Sequence, residues 1–186
     1  MKKSFIFFYF LFLCFIIVFG QDDKLKKIRQ LYADTNDKIA KSKLPNGEGW
    51  GYLYSNEINV NSNNGSWRAV GNYSNKIIFW YTDQPEFQED QGKSEYSVLV
   101  KIEIQTIASA GKNAEEYLYD DGKLVFYFKT SAYGEEPKQE FRYYFSDGKL
   151  FRYQENQDIK VFTQAGVTDI LSKSEKLQKL FIQTFN

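Results

Sequence analysis

Two Asp-Gly dipeptides constrain this chain more than anything else in it. Asp121-Gly122 and Asp147-Gly148 each stand between runs of tyrosine, phenylalanine and branched residues, so Glu115–Glu155 reads as one hairpin motif written twice. A two-residue type I′ turn needs positive φ at both central positions, which aspartate tolerates and glycine accepts freely. Asp-Gly between strand formers is therefore a strong hairpin signal. Two such hairpins in succession require an antiparallel sheet.

Tight turns also fix register. An uninterrupted ladder leading away from Asp121-Gly122 pairs Asp120 with Lys123, Tyr119 with Leu124, Tyr117 with Phe126, Glu116 with Tyr127 and Glu115 with Phe128. Away from Asp147-Gly148 it pairs Phe145 with Leu150, Tyr144 with Phe151, Tyr143 with Arg152 and Arg142 with Tyr153. One face of the first hairpin then collects Tyr117, Tyr119, Leu124, Phe126 and Phe128. The other collects Glu116, Leu118, Val125, Tyr127 and Lys129. Both faces carry more apolar area than a single helix covers, which predicts a sheet that curls or leaves a patch exposed.

The inventory of side chains narrows the chemistry. There is no histidine, and the only cysteine is Cys14. A Ser-His-Asp or Cys-His site, a His-ligated zinc and a thiolate metal site are excluded on that ground, and nothing in the sequence calls for a cofactor. Lys and Arg balance Asp and Glu at 24 each, so there is no electrostatic footprint for nucleic acid. Aromatic residues reach 18%, which directs attention to the tyrosine-rich strands.

The first 20 residues read as a secretory signal peptide. Lys2 and Lys3 precede an apolar run from Phe5 to Phe19, and Gly20 supplies a small residue at the expected cut. An uncleaved anchor is the rival, although the run is shorter than the roughly 20 residues needed to span hydrocarbon. Residues 21–186 then form a single exported domain, secreted or periplasmic, without a membrane span or cysteine.

Along that domain, Leu25, Ile28, Leu31, Tyr32, Thr35 and Ile39 recur at helical spacing, predicting a helix over Lys24–Lys41 that Pro45-Asn46-Gly47 stops. Trp50–Val60, Ser66–Thr82 and Glu95–Ala108 read as strands; Lys76–Thr82 is too apolar to have a wet face. The length of Glu95–Ala108 predicts a bend or bulge. Asp83–Ser94 reads as a solvated acidic loop. Val167–Phe185 is predicted helical, with Ser172 and Glu175 at capping-box spacing that allows a break. The expected architecture is α+β: an N-terminal helix packed on a curved antiparallel meander of six to eight strands, then a C-terminal helix. A closed, barrel-like sheet is the alternative.

The hairpins place tyrosine, arginine and glutamate together, the composition of a recognition surface. Glu116, Tyr127, Arg142, Tyr144, Arg152 and Tyr153 are the candidate partner-binding residues. They suggest a binding module for an unknown protein or glycan; ordinary cross-strand pairing accounts for the same composition. A carboxylate-dependent hydrolase using Glu115 or Glu116 and an inhibitor of an exported enzyme are the alternatives.

The segments Glu116–Phe126 and Phe141–Tyr153, within Val100–Tyr153, resemble a family of uncharacterised exported bacterial proteins that carry twin Tyr-rich Asp-Gly-Lys-Leu hairpins. The resemblance implies a secreted or periplasmic protein and assigns no catalytic residue. Tyr153 stands where that pattern leads one to expect tryptophan.

Overall fold

A computed structural model describes residues 3–44, 53–63, 65–68 and 71–186, with side chains from residue 22 onward except Glu89. The lysines and apolar side chains of the leader, the Pro45-Asn46-Gly47 stop and the strand start at Trp50 therefore lie outside the described residues. Helix α1 (Lys3–Ser42) contains the expected Lys24–Lys41 helix and continues backwards from it. Among the described residues no helix is long and apolar enough to cross a membrane.

Among the described residues nine strands follow: β1 (Tyr54–Val60), β2 (Ser66–Trp67), β3 (Gly71–Tyr81), β4 (Leu99–Ala108), β5 (Gly111–Asp120), β6 (Lys123–Tyr133), β7 (Gln139–Ser146), β8 (Lys149–Glu155) and β9 (Asp158–Ile159). They pair in the order β1-β3-β4-β5-β6-β7-β8-β9, with β2 on the end of β3. Helix α3 (Gln164–Gln183) closes the chain. The chain is an α+β meander with a helix at each end, and the sheet is open because its outer strands, β1 and β9, do not meet.

Each face of the sheet has its own helix, which is how the surplus of apolar area is buried. Leu25 and Ile28 of α1 pack on Leu118, Phe126 and Tyr144, while Ile39 packs with Leu53 and Trp80. On the opposite face Val167, Leu177 and Phe181 of α3 cover Phe79, Ile102, Tyr117, Tyr119, Tyr127 and Phe145. The uniformly apolar end of β3 is covered on both sides as expected, with Phe79 facing α3 and Trp80 facing α1.

Four details depart from expectation. Ser66–Thr82 is not one strand but two, β2 and β3, which pair with each other. Glu95–Val98 is a 3-10 turn, started by the Ser94 hydroxyl accepting from the Tyr96 N–H, and not the first part of a strand. The acidic loop contains the short helix α2 (Glu86–Glu89). Helix α3 runs unbroken through Ser172, because Ser174, Leu177 and Gln178 are all buried on its inner side.

Both hairpins turn where expected. Asp121 and Asp147 have φ of 49° and 53°, and Gly122 and Gly148 both 71°, the positive pair a type I′ turn demands. The uninterrupted ladder is nevertheless wrong beyond the second pair. Tyr119 faces Leu124, but the next pair is Leu118 with Phe126, so Val125 is extra; Tyr117 then faces Tyr127, Glu116 faces Phe128 and Glu115 faces Lys129. In the second hairpin Phe145 faces Leu150, then Tyr144 faces Arg152 across an extra Phe151, Tyr143 faces Tyr153 and Arg142 faces Gln154. β4 does the same: Tyr81 faces Leu99 and Trp80 faces Lys101, leaving Val100 extra. Three β-bulges thus recur at equivalent places on alternate strands, within Leu99-Val100-Lys101-Ile102, Leu124-Val125-Phe126-Tyr127 and Leu150-Phe151-Arg152-Tyr153. A bulge turns two successive side chains to one side and bends the strand. Here the extra residue joins the cluster under α1 each time, and every residue beyond it changes face.

The two turn glycines differ in surroundings. A Cβ on Gly122 meets Tyr96 side-chain and backbone atoms at 3.2–3.4 Å, whereas one on Gly148 meets nothing within 4 Å. The Gly122 carbonyl also accepts from the Gln178 amide of α3 at 2.7 Å. Gly148→Ala is expected to cost only the left-handed backbone strain, about 1–2 kcal/mol. Gly122→Ala adds the clash, about 1 kcal/mol more. Paired urea titrations measure the difference, and equal losses would show that Tyr96 yields freely.

Candidate binding groove beside α1

The bulged register arranges side chains in rows across the strands. Under α1 one row runs Trp80, Lys101, Leu118, Phe126, Tyr144, Arg152; the next runs Ile78, Glu103, Glu116, Phe128, Arg142, Gln154. On the α3 face Phe79, Ile102, Tyr117, Tyr127, Tyr143 and Tyr153 form a third row. Directly opposed residues share a face, so the six candidates do not form one surface. Glu116, Arg142, Tyr144 and Arg152 stand on the α1 face; Tyr127 and Tyr153 stand on the other. Arg152 is opposite Tyr144, and its Nε is buried without a hydrogen-bond partner.

Glu116 belongs to a polar cluster that seats α1 on the sheet. Lys101, only 2% exposed, reaches Glu116 at 2.8 Å, Glu103 at 3.0 Å and the Asn36 amide oxygen of α1 at 2.7 Å. The Tyr32 hydroxyl of α1 donates to Glu116 at 2.7 Å, and its ring lies 5.1 Å from the Lys101 ammonium. Trp80 donates to Glu103 at 3.1 Å. Burial raises the affinity of Glu103 for a proton, but Lys101 and the Trp80 indole outweigh it and hold the carboxyl below its ordinary range. A charge can be buried when it is paired and hydrogen-bonded in this way.

Glu115, one residue away, points to the α3 face. Lys173 of α3 contacts both its oxygens at 2.7 Å, and the hydroxyls of Tyr117 and Tyr127 donate to it at 2.8 and 3.0 Å. These partners outweigh burial and lower its pKa. Glu115 and Glu116 are therefore neighbours in sequence on opposite sides of the sheet, Glu115 paired with Lys173 and Glu116 sharing Lys101 with Glu103. That geometry keeps Glu115 and Glu116 from facing a common substrate, as a two-carboxylate hydrolase would require. Among the described residues no group of acidic, histidine or cysteine side chains has metal-binding spacing.

Helix α1 crosses the sheet obliquely, from Lys24 against Ser146 at the end of β7 to Ile39 over Trp80. Its Ile28–Tyr32 side borders β6, β7 and β8. A groove of about 400 Å³ opens there, with Ile28, Arg29 and Tyr32 of α1 on one side, Phe126, Tyr144, Arg142 and Gln154 below, and Asn156 and Gln157 at the end. Arg142 is held in place: its guanidinium lies 5.0 Å from the Phe128 ring, pairs with Glu140 and donates to the Asn156 carbonyl at 2.9 Å. Two of its five donors are engaged, leaving others for a ligand. Of the groove's lining residues only Arg29 and Arg142 are charged, and both are positive.

Sequence reasoning found Arg142 and Tyr144 and missed Arg29, Tyr32 and Gln154. The last lies opposite Arg142 only because of the Phe151 bulge, and the α1 residues meet the hairpins only through tertiary packing. No family model, curated protein or solved structure matches this chain.

Proposed function

We propose that this protein is an exported binding module and that the groove beside α1 is its recognition site for an acidic, partly apolar segment of a partner protein. The observation that carries this reading is a pre-oriented arginine, Arg142, at the floor of a groove bordered by Tyr32, whose two charged lining residues, Arg29 and Arg142, are both cationic. A rigid guanidinium suits bidentate contact with a carboxylate, and the half-buried Tyr32 supplies rigid contact area. Export is supported by Lys2 and Lys3 ahead of the Phe5–Phe19 apolar run and by the resemblance of the twin hairpins to exported proteins.

Selection from a random peptide library is the test. Enriched sequences are expected to carry aspartate or glutamate at a constant distance from an aromatic or branched residue. Arg142→Ala should weaken the selected peptides by roughly 10–100-fold, the range for a hydrogen bond to a charged group. Enrichment without acidic residues, or affinity indifferent to Arg142, would remove the reading.

A further inference from the structure

The tyrosine row on the α3 face runs out from under its helix. Tyr117 and Tyr127 are buried, whereas Tyr143 and Tyr153 are half-buried, their rings stacked at 4.6 Å and 29°. After β9 the chain passes in front of these rings as a strap, residues 160–163, before α3 begins. The strap is anchored by the Lys160 N–H, which donates to the Tyr153 carbonyl at 3.2 Å. Between strap and rings is a groove of about 380 Å³, with Tyr143, Tyr153 and Glu155 on the sheet side and Lys160, Phe162 and Thr163 on the other. Its size falls in the range of small-molecule sites, about 300–1,000 Å³.

We infer that this groove is a second ligand site, independent of the one beside α1, and that it takes a neutral saccharide ring. Stacked in this way the two rings cover one face of each other, which leaves an outer ring face as the flat apolar surface, with hydroxyls at its margin. A pyranose is the complement: one face of C–H groups and a rim of hydroxyls that both donate and accept. Glu155 accepts, Lys160 donates, and the Tyr143, Tyr153 and Thr163 hydroxyls do either. The two charged side chains have opposite sign, and Lys160 already lies 3.4 Å from Asp158. A charged ligand therefore gains little here, unlike in the all-cationic groove on the other face.

Calorimetric titration of the full chain with neutral hexasaccharides of glucose and of N-acetylglucosamine, in several linkages, tests the assignment. At least one is expected to bind, with Tyr153→Ala weakening it roughly tenfold or more, as loss of a stacked aromatic contact predicts. Because Tyr153 also packs on the sheet, Phe162→Ala provides a second variant outside the core clusters, and it too should weaken binding. Arg142→Ala should leave it unchanged. Absence of binding across the panel, or binding that survives both variants, overturns the proposal. So does preference for the zwitterionic peptide Glu-Phe-Lys over every saccharide.

Discussion

Lys101→Met is expected to destabilise the protein by about 3–5 kcal/mol, the range for removing one partner of a buried ion pair. The methionine preserves most of the apolar stem, so the loss reports charge and not volume. What remains is Glu103 and Glu116 facing one another under α1 with no cation between them, and Asn36 without its donor. The two carboxylate side chains keep 21% and 22% exposure, so some water reaches them and the lower part of the range is expected. Adding Glu116→Gln to Lys101→Met removes one of the two opposed charges and should restore part of the loss. Urea unfolding of the two single variants and the double variant measures this as a coupling energy, about 0.5–3 kcal/mol for groups in one network. A loss below 1 kcal/mol for Lys101→Met, together with strict additivity, would mean that the cluster does not seat the helix.

Alkaline pH should unfold the domain through its buried phenols. Burial raises the pKa of Tyr32, Tyr117, Tyr119, Tyr127 and Tyr143, and nearby Glu116 or Glu115 carboxylates add to the effect at Tyr32, Tyr117 and Tyr127. Each group holds its proton more tightly folded than unfolded. Its contribution to stability is complete below the unfolded phenol's pKa of about 10 and is lost as pH rises above it. With five such groups the losses accumulate steeply between about pH 10 and 12. The phenolate absorbance of these tyrosines is expected to appear together with the loss of the circular dichroism of the sheet. A titration in which every tyrosine ionises while the sheet signal persists would contradict the burial of these phenols. Glu115→Gln isolates the carboxylate contribution, because it keeps the shape of the cluster while removing the charge beside Tyr117 and Tyr127.

The amino-acid sequence by itself determined the elements, the turns and the antiparallel order. Asp-Gly between strand formers has one comfortable backbone solution, and both turns adopt it. The amphipathic spacing of Leu25, Ile28, Thr35 and Ile39 specifies the buried side of α1 without reference to anything else. The apolar run ending at Tyr81 announces a strand covered twice.

Only the tertiary structure decided which side chains stand together. The bulge at Val100 falls in the stretch whose length predicted one, but those at Val125 and Phe151 carry no local mark, since neither contains the glycine or proline that usually betrays an irregular strand, and a one-residue shift exchanges the faces of everything beyond it. Glu116 and Tyr127 were thereby parted, and so were Arg142 and Tyr153, while Tyr117, Tyr127, Tyr143 and Tyr153 fell into line. The bulge places Val125 and Phe151 against α1 while keeping Leu124 and Leu150 in the core beneath α3, a choice that exists only once two helices occupy the two faces. The candidate grooves have the same origin. One lies where an oblique helix borders the sheet, the other is the gap a returning strap leaves, and neither can be read from a strand pattern alone.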